Sequence, residues 1–308
     1  MSQNLVVVPS PHIKDKATTS SVMLDVIIAL LPTVVVSAFL FGPRTILLTA
    51  VCVAACVAFE YLFCVVTKRE QTISDLSACV TGVLLAMNLP ASFPIWMAII
   101  GCFVAIVITK ELFGGIGQNF ANPALVGRIV LFVSFAKYMT AWETSSGLVV
   151  ASATPLGMLN KGVTELPSYL DLLLGVHGGV LGETCALTLI IGGIYLIWRK
   201  VITPTIPLVY IGGVFVLCLL LGVDPVYQIL SGGLMLGAIF MATDYTTSPV
   251  TEKGKAIFAL GCAVITVVIR LYGSYAEGVS FAILLMNILT PHIDNLTRQV
   301  PFGGVNKK

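Results

Sequence analysis

Apolar runs of about twenty residues recur along this chain, and that is the length a helix needs to cross a hydrocarbon core. Read between their breakers, they give ten candidate segments at roughly 22–41, 45–67, 75–90, 95–113, 124–139, 179–198, 205–222, 227–243, 255–272 and 279–294. Hydrophobic residues make up 57% of the sequence and charged residues only 10%. A soluble domain of this length would need far more charge to cover its surface. The expected fold class is an all-α polytopic membrane protein with about ten transmembrane helices. The segments at 75–90 and 227–243 are short and carry glycine and polar residues, so they read as broken or partly inserted helices.

Lysine and arginine placement sets the orientation. With the N-terminus inside, 12 of the 17 basic residues fall on the cytoplasmic side, among them Lys14, Lys68, Arg69, Lys110, Arg199, Lys200, Lys253 and Lys255. Arg44, Lys137, Lys161 and Arg270 fall outside, and Arg128 lies within a span. Both termini are therefore expected in the cytoplasm. The expected order is a cytoplasmic segment 1–21, a first membrane half 22–139, an outer loop 140–178, a second half 179–294 and a tail 295–308. The first twenty residues are polar and lack an apolar core with a cleavage site, so no removable signal peptide is expected. A formal net charge of +2 gives no reason to expect a nucleic-acid partner.

Two halves of five spans also leave traces of a repeat. Leu76-Ser77 matches Leu230-Ser231, with Met87 in register with Met241; Gly101-Cys102 resembles Gly261-Cys262, with a one-residue offset by Leu271-Tyr272-Gly273. An odd number of spans per half makes such repeats inverted, and inverted repeats build sites where their broken helices meet.

The eight cysteines lie almost entirely inside apolar runs and form no CxxC pair, so they read as small buried hydrophobes. His12, His177 and His292 are too far apart to supply paired haem ligands, and no metal site is expected. Polar groups at membrane depth are more telling. The run Lys110 to Ala124 is rich in glycine and amides; Asn122-Pro123 starts a helix there, and Asn119 and Asn122 favour a lined cavity. In the run Ala242 to Thr251, Thr243 and Asp244 offer a hydroxyl and a carboxylate for a cation or a polar ring edge, although in isolation a helix end with a Ser-Pro turn is the preferred explanation of that run. Glu277 reads as a solvated loop carboxylate. Asp25, Glu60, Arg128, Glu183 and Asp294 are isolated ionisable groups within or beside spans, and none makes a secure ion site.

The long outer loop holds Ser152-Ala153-Thr154-Pro155-Leu156. Taken alone, Thr154-Pro155 is a helix cap followed by a first-turn proline. Together, Gly114 to Ala124, Thr243 to Pro249, Glu277 to Asp294 and Ser152 to Leu156 resemble, in order and over nearly the whole chain, the RnfD/NqrB family of membrane subunits, on the RnfD side. That resemblance implies an FMN joined through its phosphate to the hydroxyl of Thr154, with Ala153, Pro155 and Leu156 matching the family motif. Ala151-Ser152 replaces the usual Ser-Gly, and Leu148 stands where an aspartate is usual. It also implies a second flavin, riboflavin, held non-covalently between helices, and a flavin transferase acting outside the cytoplasm. The further partners would be the other Rnf subunits and membrane lipid, in a complex coupling ferredoxin/NAD redox chemistry to Na⁺ or H⁺ translocation across the cell (inner) membrane. No catalytic residue of its own is expected, since the chain has neither an iron–sulfur cysteine pattern nor a dinucleotide fingerprint. A channel or secondary transporter without covalent flavin is the competing reading, and a scaffold with a degenerate flavin site is a third.

Overall fold

The computed structural model describes residues 17–143, 149–150, 154–160, 167–183, 185–273 and 278–298. Ser152 and Ala153, the altered residues upstream of Thr154, Glu277, and most of both terminal segments lie outside them.

The helices begin and end where local chemistry dictates. α1 (Thr19–Phe41) opens with a reciprocal capping box between Thr18 and Ser21 and stops at Gly42, whose φ of +87° admits no further turn. α2 (Arg44–Thr67) follows directly and ends at Lys68 in the left-handed region. After a 3₁₀ turn, Ile73–Asp75, the Asp75 carboxylate accepts from the Ser77 amide and hydroxyl and starts α3 (Ser77–Met87). α4 (Ile95–Phe103) runs on as a π-helical stretch, Val104–Glu111. α5 (Pro123–Ser134) has Asn122 as its side-chain cap and Pro123 at its first position.

The expected helix 124–139 is interrupted at Phe135, and a separate turn, α6 (Ala136–Met139), completes it. The segment between the two expected membrane halves carries elements that composition did not announce: an antiparallel ladder of β1 (Trp142–Glu143) with β2 (Val149–Val150), then α7 (Pro155–Asn160) and α8 (Tyr169–Leu174).

In the second half, α9 (Ala186–Trp198) starts several residues later than the apolar run does. α10 (Thr205–Leu220) leads to a segment broken as expected: α11 (Pro225–Leu230), then α12 (Leu234–Leu236) continuing as a π-helical turn, Gly237–Met241. Positive φ at Gly232 and Gly233 makes the break. α13 (Glu252–Tyr272) and α14 (Val279–Thr297) finish the chain.

Among the described residues, α1, α2, α13 and α14 are each long and apolar enough to cross a membrane unaided, and α3, α5, α9 and α10 are shorter apolar helices. Large apolar side chains point outward along them, including Phe39, Val66, Trp198, Leu208 and Leu220. In water such a surface would aggregate; in lipid it is the solvated face. The chain is a multi-pass membrane protein. α3, at eleven residues, is about 16 Å long and covers half a bilayer. Its end meets the end of the broken segment: Asn88 Nδ2 lies 3.8 Å from Met241 Sδ, and the Asn122 amide donates to the Met241 carbonyl at 3.3 Å. Met87 and Met241, the residues in register in the sequence, therefore sit at a junction of half-length elements.

Candidate functional site

A cavity opens at that junction. One wall is apolar, built by Met23 and Val26 of α1, Val80 and Leu84 of α3, Leu196 of α9, and Phe240. The polar part of the lining comes from three separate stretches: Thr81 on α3, Asn119 and Asn122 before α5, and Thr243, Asp244 and Thr246 after the π-helical turn. Four of the residues singled out from sequence, Asn119, Asn122, Thr243 and Asp244, thus converge here although more than a hundred positions separate the two pairs.

Their orientations are fixed by a connected network. Asn119 Nδ2 donates to the Ala121 carbonyl at 3.1 Å and to Thr246 Oγ1 at 3.0 Å. Thr246 Oγ1 in turn donates to Asp244 Oδ1 at 3.0 Å. Asp244 also accepts from the Thr246 amide at 3.2 Å and the Thr247 hydroxyl at 3.3 Å. Asn122 Oδ1 caps α5 through the Ala124 amide at 3.0 Å. Thr243 donates to the Ile239 carbonyl, one turn back. Low surrounding dielectric strengthens such linked bonds and holds the polar edge in one arrangement. Asp25 of α1, next in sequence to the lining residue Val26, takes two bonds from Arg199, at 3.1 and 3.2 Å, and one at 2.9 Å from Tyr195, next to the lining residue Leu196, pinning α1 to α9.

The other ionisable residues found in sequence are paired. Arg128 donates to Asn88 Oδ1 at 2.7 Å and Ser280 Oγ at 2.8 Å and lies 3.7 Å from Glu183. Asp294 accepts from the Val250 amide at 3.0 Å. Glu60 and Ser77 were not assigned to a cavity from sequence, and Lys110 only as the first residue of the run 110–124 expected to line one; Lys110 and Ser77 line it and Glu60 holds Lys110 at 2.8 Å. A lysine beside a glutamate at a helix end has many explanations, and only the tertiary partner across fifty positions resolves them. The α1 and α9 walls carry no sequence signal beyond being apolar.

Thr154 and Pro155 belong elsewhere; neither lines the cavity. Thr154 is 4% exposed, and its hydroxyl accepts from the Gly157 amide at 3.3 Å, so it caps α7. The buried Leu156 side chain sits against Gly232: a Cβ on that glycine would lie 2.2 Å from Leu156 Cδ1. Arg270, 2% exposed, donates to the Gln228, Ser231 and Gly232 carbonyls and so stiffens the break on which α7 rests. Arg270 is in the last turn of α13, whereas Thr243 to Thr246 come shortly before its first. The two places are thus at opposite ends of a helix about 30 Å long.

Residues 6–303 match the family model described as NQR2, RnfD, RnfE. The chain belongs to that family. It is 48% identical over 97% of its length to the D subunit of the Na⁺-translocating ferredoxin:NAD⁺ oxidoreductase complex of Acetobacterium woodii, covering 96% of that protein. Identity is 43% to the D subunit of the proton-translocating ferredoxin:NAD⁺ oxidoreductase complex of Clostridium ljungdahlii, with 96% and 95% covered. It is 36% to the D subunit of the ion-translocating oxidoreductase complex of Ectopseudomonas mendocina, again with 96% and 95% covered. Relatives named for sodium and for protons both align end to end, so overall similarity does not separate the two ions.

Proposed function

We propose that this protein is the flavin-carrying membrane subunit of an ion-translocating ferredoxin:NAD⁺ oxidoreductase complex. In this reading it crosses the membrane ten times in two inverted halves of five, with both termini in the cytoplasm. It assembles with the other membrane and soluble subunits of the complex and receives FMN on Thr154 from a flavin transferase on the outer side. Riboflavin occupies the cavity without a covalent bond. It is not catalytic alone.

The observation that carries the reading is the convergence of Asn119, Asn122, Thr243 and Asp244 on one cavity in a chain of this family. An apolar wall facing a rim of amides, hydroxyls and a carboxylate suits a flat heteroaromatic ring with one hydrogen-bonding edge. Asn119, Asn122 and Thr243 would hold that edge, while Met23, Val80 and Phe240 would cover the ring and exclude water. Thr154 fits as an acceptor in chemistry, through a hydroxyl at the start of a helical turn, though its burial requires α7 to lift for attachment. Bound flavin would supply one-electron and two-electron transfer, and the protein sets its position and surroundings.

The junction of half-length elements also suits a secondary transporter without covalent flavin. Both readings are tested by coexpressing the protein with its transferase and separating it on a denaturing gel. Flavin fluorescence that survives denaturation and is absent in Thr154→Val supports the redox carrier. A dark band for both, with the transferase active on another substrate, moves the assignment to a transporter.

A further inference from the structure

Beside the cavity lies a buried ionic cluster for which ligand binding alone gives no reason. Lys110 Nζ is 2.8 Å from Glu60 Oε2, 2.6 Å from Ser77 Oγ and 3.7 Å from Glu111 Oε1. Glu60, Glu111 and Lys110 are 0%, 2% and 3% exposed. Glu60 is well supplied with donors, since the Thr72 hydroxyl closes on its second oxygen at 2.5 Å. Glu111 is not: its Oε1 is buried and has no hydrogen-bond partner. Successive residues of a regular α-helix point about 100° apart, yet the π-helical stretch Val104–Glu111 turns both Lys110 and Glu111 inward.

Within the buried trio the charges do not balance: two carboxylates share one ammonium, and an uncompensated buried charge is costly. The other ionisable groups facing the cluster are Arg69, after α2, which donates to the Glu111 main-chain oxygen at 3.2 Å, and Asp75 and Cys79 at the start of α3. Asp244 stands on the same cavity's polar edge. A proton on one carboxyl restores neutrality between Lys110 and the two glutamates, and the one with an unpartnered oxygen is Glu111. Glu111 also lies against a glycine turn near the surface: the Cβ position of the buried Gly115 is 4.0 Å from Glu111 Oε2, and Gly114, Gly117 and Gln118 beside it are exposed.

We propose that Glu111 is an exchangeable-proton site, joined to the cavity by Lys110 and to water by the glycine turn, and that it supplies the proton balancing an electron placed in the cavity. The proposal rests on the reading of the cavity as a flavin site. The Lys110 ammonium has three N–H groups; Glu60 and Ser77 hold two, and the third is left between Glu111 and the cavity. One electron arrives from a reduced iron–sulfur donor of the complex. One proton leaves the Lys110 ammonium for the cavity, the Glu111 carboxyl proton passes to Lys110 Nζ, and the Glu111 carboxylate takes a proton from water at the turn. No bond between heavy atoms forms or breaks, and the cavity gains one electron and one proton.

The test is a redox titration of the purified complex at several pH values, followed by infrared difference spectroscopy, with flavin content measured by acid extraction. The wild-type protein is expected to show a pH-dependent potential for the extractable flavin and a protonated-carboxyl band that changes on reduction. Glu111→Gln keeps the Lys110–Glu60 pair and is expected to retain flavin while losing both the band and the pH dependence. Glu111→Asp is expected to restore the band. An unchanged band and pH dependence in Glu111→Gln, with flavin content intact, overturns the proton site alone. A wild-type complex with no acid-extractable flavin overturns the reading of the cavity and the proton site with it.

Discussion

The cavity and the seat of Thr154 present opposite kinds of binding chemistry. The cavity is assembled by tertiary folding: its polar edge comes from stretches before α5 and after the π-helical turn, and its apolar wall from α1, α3 and α9. The Thr154 seat is smaller: its cap is local, a hydroxyl at the start of a six-residue helix, and that helix rests on a glycine break held by Arg270. A ligand in the cavity is recognised by shape and by hydrogen bonds to a fixed rim. A ligand on Thr154 is recognised elsewhere, by whatever enzyme attaches it, and needs from this chain a reachable oxygen. The first site is therefore sensitive to its lining, and the second to how firmly α7 is docked.

Substitutions should separate the two completely. Thr154→Val removes the acceptor oxygen and is expected to abolish denaturation-resistant flavin fluorescence while leaving the acid-extractable flavin unchanged. Fluorescence persisting in that variant would mean a different acceptor. The reverse change is Asn119→Leu, which removes the amide that ties Thr246 to the Ala121 carbonyl and reaches the cavity. Losing one or two hydrogen bonds at about 1–1.5 kcal/mol each predicts roughly 10- to 100-fold weaker retention of the extractable flavin. The covalent band should keep its intensity. If both flavins fall together, the two places are coupled and the contrast between them fails.

Docking of α7 can be tested without touching Thr154. A methyl group at Gly232 would meet Leu156 Cδ1 at 2.2 Å and an Arg270 nitrogen at 2.9 Å, at a φ of +69° that disfavours any side chain. Gly232→Ala is expected to destabilise the protein by about 1–3 kcal/mol, the usual cost of overpacking. Because it unseats α7, it should also raise the rate of FMN attachment several-fold in a timed reaction with the transferase. Slower attachment would show that the transferase reads the docked form.

How much of this was legible in the sequence follows from the range of each interaction. Helix starts were readable where one side chain makes them, as at Asn122-Pro123 and Thr154-Pro155, because a cap acts over three residues. The broken segment at 227–243 was readable from its glycines, which sit at positive φ. The break at Phe135 was not, since no glycine or proline marks it and the chain leaves helical geometry at an ordinary residue. In the cavity, Asn119 and Thr243 stood out as polar groups in apolar surroundings. Ser77 did not, and Lys110 entered only as the head of the glycine- and amide-rich run, because their role depends on Glu60 holding Lys110 against Ser77 from another helix. The apolar wall was invisible for a different reason: in a chain rich in such residues, a valine lining a site and a valine facing lipid read alike.

The smallest expected effect lies between α8 and α9, at His177. Its imidazole is 3% exposed, Nδ1 stands 3.1 Å from the Gly178 carbonyl, and Nε2 has no hydrogen-bond partner. Burial pushes its pKa below the ordinary 6.5, against weaker opposing pulls from that carbonyl and from Asp171. Glu183 is the other carboxylate nearby, since both side chains approach Gly179. Below pH 6.5 the unfolded chain takes up a proton that the folded chain refuses, so the unfolded state binds more protons and stability falls as the pH falls. The loss is at most about 1.4 kcal/mol per pH unit, and it levels off once the folded imidazole also titrates. Melting curves of the detergent-solubilised protein should shift down by a few degrees between neutral and mildly acid pH. His177→Gln should flatten that limb without altering either flavin. An acid limb unchanged in the variant would place the titrating group elsewhere, with Glu183 the next residue to substitute.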